Sequence, residues 1–240
     1  MRLQKFSYPF TVSQRLLNIG LQNNKSVLDI GSGPNTELGK WLRQNQILYI
    51  AADIKYIFLQ EQAKSSHPTI QCKSSSLPLD NSSVDISHLR FVLMHLSSDE
   101  RRVTISEMLR VSKNTSIFIE FDWSTFKGSE TVNSFRDLAI DILDTHVDLF
   151  LGKNLRKEIL KSSKNTGLTV NHRNFKRGPG NYYNELLPLA NSLLSAAKLF
   201  RPEKETSVNE SIGALTEESC HPAISFVPPT LSTIVVEKHN

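Results

Sequence analysis

VLDIGSGPNTEL, residues 27–38, is an apolar run that breaks at Gly31-Ser32-Gly33 and resumes as a helical pattern reaching Leu38. A short apolar run bounded by glycine reads as a buried strand, and a strand that turns on glycine into a helix lets backbone approach a ligand closely. That is the opening unit of an open α/β sheet. A plain strand-to-helix turn would carry the same two glycines, so the site has to be argued from the residues around them.

With SVLDI (26–30) as the first, further apolar runs follow at ILYIAAD (47–53), TIQC (69–72), VDISHL (84–89) and SIFIEF (116–121). Helical patterns separate them, and this alternation predicts parallel strands joined by helices. The helix after the fourth strand has a start signal in Ser97 with Glu100 three places on, then Ile105, Met108 and Leu109 on one face. Its expected end is near Lys113-Asn114, since asparagine tolerates a left-handed turn. Before the first strand, Thr11 to Leu21 is amphipathic. After the fifth come a polar loop DWSTFKGSE, helical stretches at 131–149, 153–164 and 182–199, and strands at 168–174 and 231–237. RPEKETSVNES (201–211) reads as a mobile surface segment.

The 240 residues are 39% hydrophobic, which suits one large domain spanning 1–240. Within it, 123–200 interrupts the regular alternation and is expected to form a cover over an acceptor. No stretch approaches the roughly 18 apolar residues of a membrane helix, and MRLQKFSYPFTVSQRLL lacks the apolar core of a secretion signal, so a cytoplasmic location is expected. Cys72 and Cys220 make no CxxC pair and no disulfide framework. The net charge of +4 is scattered, with only Arg101-Arg102 and the loop KRGPGN (176–181) as basic groupings. A nucleic-acid surface would need a basic cluster interleaved with aromatics, and none is expected.

Two carboxylates narrow the ligand. Asp53 closes the second strand about 20 residues after the glycines, where an acid accepts hydrogen bonds from a ribose diol. That fits a dinucleotide or S-adenosylmethionine. Asp29 lies two residues before Gly31, and a carboxylate there would repel a pyrophosphate while attracting an ammonium and a sulfonium. The ligand's own carboxylate would meet the amide-rich loop and the helix N-terminus. The third glycine of the dinucleotide pattern is also missing, its place taken by Thr36.

Here the sequence resembles the class I S-adenosylmethionine-dependent methyltransferases of the type 11 branch, from about Ser26 to Asp122. VLDIGSGPNTEL is similar to the first motif, AADI with Asp53 to the second, LPLDNSSVDISHLRFVLMHL to the segment through the fourth strand, and SEMLRVSKNTSIFIEFDW to the helix and fifth strand that follow. The resemblance implies a Rossmann-like, doubly wound α/β fold with a mainly parallel sheet, a final antiparallel strand from LSTIVVEK and helical cover elements. It implies Asp29, Gly31, Ser32 and Gly33 around the methionyl part of the donor, Asp53 on its ribose and Ile54 beside its adenine. Ser74 and Ser75 then border the adenine, and the backbone near Leu89 and Arg90 lies under the cofactor. Where the family often has an aspartate after the third strand, this chain has Lys73-Ser74, which leaves adenine recognition to Ser75, a backbone carbonyl or water. Asn35 replaces a common third glycine at little conformational cost.

Methyl transfer from a sulfonium is an in-line displacement, so alignment does much of the work, and a general base is needed only if the acceptor must lose a proton. His95, just past the fourth strand, is the best placed histidine for that role, against the alternative that it only packs; His88 on the strand ranks below it. Asp122-Trp123 follows the fifth strand at the ligand-binding edge of the sheet and is read as substrate-facing, against a polar turn with a half-buried indole. Arg90 either positions an anionic group of the acceptor or is an ordinary surface or salt-bridged arginine. No metal-ligand spacing occurs, so no metal is expected. The expected function is methyl transfer to a small-molecule acceptor. A catalytically silent S-adenosylmethionine-binding or scaffolding protein is the alternative. A nucleic-acid methyltransferase ranks third, because SHLRFV stands where an NPPY-type sequence would serve a flipped base.

Overall fold

The computed structural model describes residues 13, 25–162, 167–221 and 225–238. Apart from Ser13, the amphipathic stretch 11–21 lies outside them. The sheet begins with β1 (Ser26–Ile30), β2 (Leu48–Asp53), β3 (Thr69–Gln71), β4 (Val84–Arg90) and β5 (Ser112–Asp122). Between these run α1 (Glu37–Gln44), α2 (Tyr56–Lys64) and α3 (Ser98–Val111). The remainder is α4 (Glu130–Leu143), α5 (Leu151–Ser162), β6 (Leu168–Phe175), α6 (Tyr183–Phe200), α7 (Glu205–Ser219) and β7 (Thr230–Lys238).

Seven strands form one sheet in the order β3-β2-β1-β4-β5-β7-β6. β1 to β5 pair in parallel, while β7 runs antiparallel between β5 and β6. The chain order reverses beside β1, so the carboxyl ends of β1 and β4 flank the crevice where ligands bind in open α/β sheets. β1 and β4 are buried on both faces, as their unbroken apolar runs require, whereas β6 at the edge is half exposed along its length. The final antiparallel strand is thus present, and it lies inside the sheet rather than at its rim.

The start of α3 follows its sequence signal. Ser97 Oγ accepts from Glu100 N, and Glu100 Oε2 accepts from Ser97 N, a reciprocal capping box. Its end does not. The helix stops at Val111, and Ser112 turns directly into extended backbone. Ser112 pairs with Val84 and Thr115 with Glu237, so neighbouring strands on both sides recruit Lys113-Asn114 into β5. The stretch 201–211 also departs from expectation: a short turn at Pro202–Lys204 leads into α7, whose Val208 and Leu215 are fully buried. The seven-residue spacing that makes this an amphipathic helix extends past the polar segment in which only Val208 is apolar.

The region 123–200 divides. β6 belongs to the sheet, and α5 packs against β5 and β7. Its cavity-facing parts are the end of α4 with the following loop and the second half of α6.

Candidate functional site

At the carboxyl ends of the central strands lies a cavity of about 1350 Å³. One wall is the turn after β1. Gly31 and Gly33 sit at φ of 67° and 61°, the left-handed region that glycine enters without strain. A Cβ on Gly31 would lie 2.2 Å from Val92 Cγ2, so no larger residue fits there. The amides of this turn are used inside the protein. Gly31 N and Ser32 N both donate to the Ala52 carbonyl, at 2.8 and 3.1 Å, and Gly33 N donates to Asp53 Oδ2 at 3.0 Å. From α2, Gln62 Nε2 donates to the carbonyls of Gly33 and Asn35, each at 3.0 Å. The turn is therefore not an open nest of N–H groups awaiting an anion.

Asp53 lines the cavity at the end of β2, each of its oxygens taking one backbone amide: Gly33 N on Oδ2 and Lys55 N at 2.8 Å on Oδ1. A carboxylate oxygen accepts more than one hydrogen bond, so capacity for a diol remains. Ile54, half exposed, stands beside it, and Ser74 and Ser75 border the same wall, with Ser74 Oγ 3.0 Å from Thr104 Oγ1. Cys72 also lines this part, its thiol pKa raised by burial and by Asp53.

Asp29 is elsewhere. It is 4% exposed and off the cavity wall, with Tyr49 Oη donating to Oδ2 and His88 Nδ1 meeting Oδ1, both at 2.8 Å. The cause is register: Asp29 and His88 are Cα partners across β1 and β4, and their side chains meet in the buried layer. Ser13 Oγ lies 3.2 Å from the far nitrogen of His88. Burial opposes ionisation of Asp29, but attraction to His88 and Arg90 with the Tyr49 hydrogen bond outweighs it and lowers the pKa. Burial and then Asp29 push the Tyr49 phenol well up. The expectation that Asp29 faces a cationic ligand is thus corrected. Ser32 turns the same way: its side chain is buried beside the Tyr49 hydroxyl.

Arg90 joins this layer to the cavity. It ends β4, is 7% exposed, lines the cavity, and its Nε has no hydrogen-bond partner. Burial lowers its pKa, opposed by Asp29 and Tyr49, yet a guanidinium stays charged. Leu89, fully buried, contributes only core beneath it.

The opposite wall is mainly apolar. Leu96, Leu143, Val147, Ala196, Leu199 and Phe200 line it, with Ser192 and Ser195 on α6. His95 faces the cavity from the turn after β4, where the surrounding protein and the nearby Lys55 cation hold its pKa down and leave the imidazole neutral at pH 7. His146, which sequence reasoning did not single out, lines the cavity and stacks on Phe200 with ring centres 4.0 Å apart. Asp122 and Trp123 are not part of it. Asp122 Oδ1 caps the next turn through Ser124 N, and Trp123 is 2% exposed in the core against Phe126. The last β5 residue paired to β4 is Ile119, so Asp122 lies three residues beyond that pairing, opposite Thr230 of β7.

A carboxylate with capacity for a diol, a buried guanidinium whose Nε has no hydrogen-bond partner and serines beside an apolar ledge are groups complementary to the parts of S-adenosylmethionine. Residues 28–119 match the family model described as a methyltransferase domain. No curated protein matches the chain. A solved structure from Anabaena variabilis, described as a methyltransferase candidate of an antibiotic biosynthesis pathway, superposes with a TM-score of 0.68 at 14% identity, covering 96% of this chain and 97% of that one. The YcgJ protein of Bacillus subtilis gives 0.63 at 14% identity over 97% and 99%. A Haemonchus contortus phosphoethanolamine N-methyltransferase, solved with phosphomonomethylethanolamine and S-adenosylhomocysteine, gives 0.58 at 11% over 96% of this chain and 53% of that one. At such identities the superpositions establish the fold, and the domain match supplies the chemistry. Residues 28–119 therefore carry a methyltransferase domain, on a fold shared with solved methyltransferases.

Proposed function

We propose that this enzyme methylates a small-molecule acceptor held between the β1–β4 crevice and the wall formed by α4 and α6. The observation that carries the reading is the cavity itself. At about 1350 Å³ it exceeds the roughly 300–1,000 Å³ of a site for one drug-sized ligand, and it continues from the Gly31–Asp53 wall to the apolar one. It has room for a donor and a modest acceptor together. Among the described residues no helix is long and apolar enough to cross a membrane.

On this reading Asp53 holds the ribose, Ile54 the adenine face with Ser74 and Ser75 at its edge, and Gly31 and Gly33 admit the donor close to the backbone. Arg90 takes the donor carboxylate, a role the internally bonded amides of the glycine turn leave open. Asp29 acts at one remove, through His88, Tyr49 and Arg90. When bound, S-adenosylmethionine supplies a methyl group on a sulfonium, an activated centre that needs no metal. The protein's part is to hold an acceptor in line at about 3 to 3.5 Å and to exclude water from the apolar side. His95 is neutral at pH 7, but a pKa held down to about 4 makes it a weak base, so it serves an acceptor that must lose a proton only if the bound ligands raise that value.

The test is a cell extract incubated with the pure protein and methyl-labelled S-adenosylmethionine. Label in low-mass metabolites supports the reading. Label confined to protein or nucleic acid refutes the acceptor class, and the absence of any protein-dependent label favours the silent binding protein.

A further inference from the structure

The turn between β4 and α3 forms the cavity wall from Phe91 to Leu96, and its backbone is strained. Phe91 has φ of 58°, a left-handed conformation that bulky residues rarely adopt and that persists only when neighbours hold it. Several do. Phe91 N donates to the Ile119 carbonyl at 2.9 Å, and its ring stacks on Phe121 with centres 4.2 Å apart. From α3, Arg101 Nε donates to the Leu93 carbonyl at 2.8 Å and Nη1 pairs with Asp148 at 2.9 Å, while Asp148 N donates to the Met94 carbonyl at 2.8 Å. The remaining hold is Glu120 on β5, fully buried, whose Oε1 accepts from Val92 N at 3.1 Å and Leu93 N at 2.8 Å.

A leucine would fill this volume without desolvating an acid. What the carboxyl adds is lone pairs for two amides that the left-handed bend turns inward, amides that would otherwise be buried without a partner. The turn has consequences on both sides: Val92 Cγ2 occupies the space a Gly31 side chain would need, and His95 projects into the cavity three residues on. We propose that Glu120 is the positioning residue of this wall, fixing the Phe91–His95 turn and through it the fit of Val92 on the glycine turn and the placement of the His95 imidazole. The functional weight of the inference rests on the reading that this wall borders donor and acceptor.

The charge state follows from the surroundings. Burial pushes the Glu120 pKa up to about 8, opposed by the amides of Leu93, Val92 and Met94 and by Arg101. From β7 it faces its register partner Ser232, which is buried and uncharged. A folded pKa above the unfolded one means that stability from the neutral acid is full below the ordinary carboxyl range and is lost as pH rises toward about 8. Above that the buried group ionises, and its unpartnered Oε2 carries charge.

Nuclear magnetic resonance on the whole protein, without ligand, reads the proposal through exchange of the Val92 and Leu93 amides and the titration of His95, in wild type, Glu120→Gln and Glu120→Leu. Glu120→Gln keeps a carbonyl acceptor, so protection should stay within about threefold of wild type, and the change in the turn near pH 8 should vanish. Glu120→Leu should speed exchange of these two amides by about tenfold or more, shift the His95 midpoint, and leave Val27–Ile30 protected. Unaltered exchange and an unaltered His95, or uniform loss of protection across the sheet, would overturn it. If Glu120→Leu does not fold, persistence of the pH 8 change in Glu120→Gln does the same. Calorimetry with S-adenosylhomocysteine should then show weaker binding by Glu120→Leu. Failure of wild type to bind would break the donor reading and leave the ligand-free result standing.

Discussion

At the ends of β1 and β2 the cavity wall is polar and already bonded: Gly31, Ser32 and Gly33 give their amides to Ala52 and Asp53, and Gln62 holds two carbonyls from behind. Along the turn after β4, the end of α4 and the second half of α6 the wall is mainly apolar. Among its polar groups are His95, His146, Ser192 and Ser195, the two hydroxyls donating back to carbonyls of their own helix. A wall fixed by internal bonds recognises one shape with little reorganisation, as a common donor requires. A wall of apolar residues and scattered hydroxyls accepts many shapes, so on the proposed reading the donor side announces its ligand and the acceptor side does not.

The contrast is broken most severely in the buried layer under the first wall. Asp29→Asn leaves Arg90 and His88 without their anion, and loss of one partner of a buried charged set should cost about 3 kcal/mol in urea unfolding at pH 7. Because the folded pKa of Asp29 is lowered, its contribution is present above the unfolded carboxyl pKa and lost as pH falls through the folded one; the variant should lack that acid loss. Wild-type stability in the variant would return Asp29 to the ligand-facing role that its position in the sequence suggested.

Asp53→Ala removes a group that faces the cavity, so its effect belongs to binding. Affinity for S-adenosylhomocysteine should fall by about 1.5–3 kcal/mol in calorimetry. An unchanged affinity would show that the ribose is held elsewhere.

The wall at the ends of β1 and β2 was largely legible in the sequence because its signals are local. Gly31, Gly33 and Asp53 lie where strand, turn and strand end put them, and Ser97 with Glu100 forms its capping box within one turn. Asp29 was misread because its partner His88 is 59 residues away and arrives through sheet register, which a periodic pattern does not report. Tyr49, Gln62 and Glu120 were invisible for the same reason. The acceptor wall was less legible still. Asp122 and Trp123 were placed by the rule that ligands lie beyond strand ends, but Asp122 caps the next turn away from the cavity lining and Trp123 is buried in the core. His146 and Phe200 meet only when α4 and α6 pack, and nothing in their local sequence marks them.

Smaller effects sharpen the boundary between the walls. Cys72 lines the donor side and Cys220 is exposed outside it, so S-adenosylhomocysteine should slow alkylation of Cys72 by about threefold or more and leave Cys220 unaffected. Equal protection of both would place the ligand elsewhere. Ser192→Ala and Ser195→Ala, on the acceptor side, should change donor affinity by less than about 0.5 kcal/mol. A larger change would mean that the donor reaches α6.

The most direct measurement compares two ligands on two variants. S-adenosylhomocysteine carries a carboxylate, and 5′-methylthioadenosine has the same nucleoside without it. If Arg90 holds the carboxylate and Asp53 the ribose, Arg90→Met should weaken S-adenosylhomocysteine by about tenfold or more and leave 5′-methylthioadenosine unchanged, while Asp53→Ala weakens both. Equal loss of both ligands in Arg90→Met, or a wild type that binds neither of them better than NADH, would contradict the account.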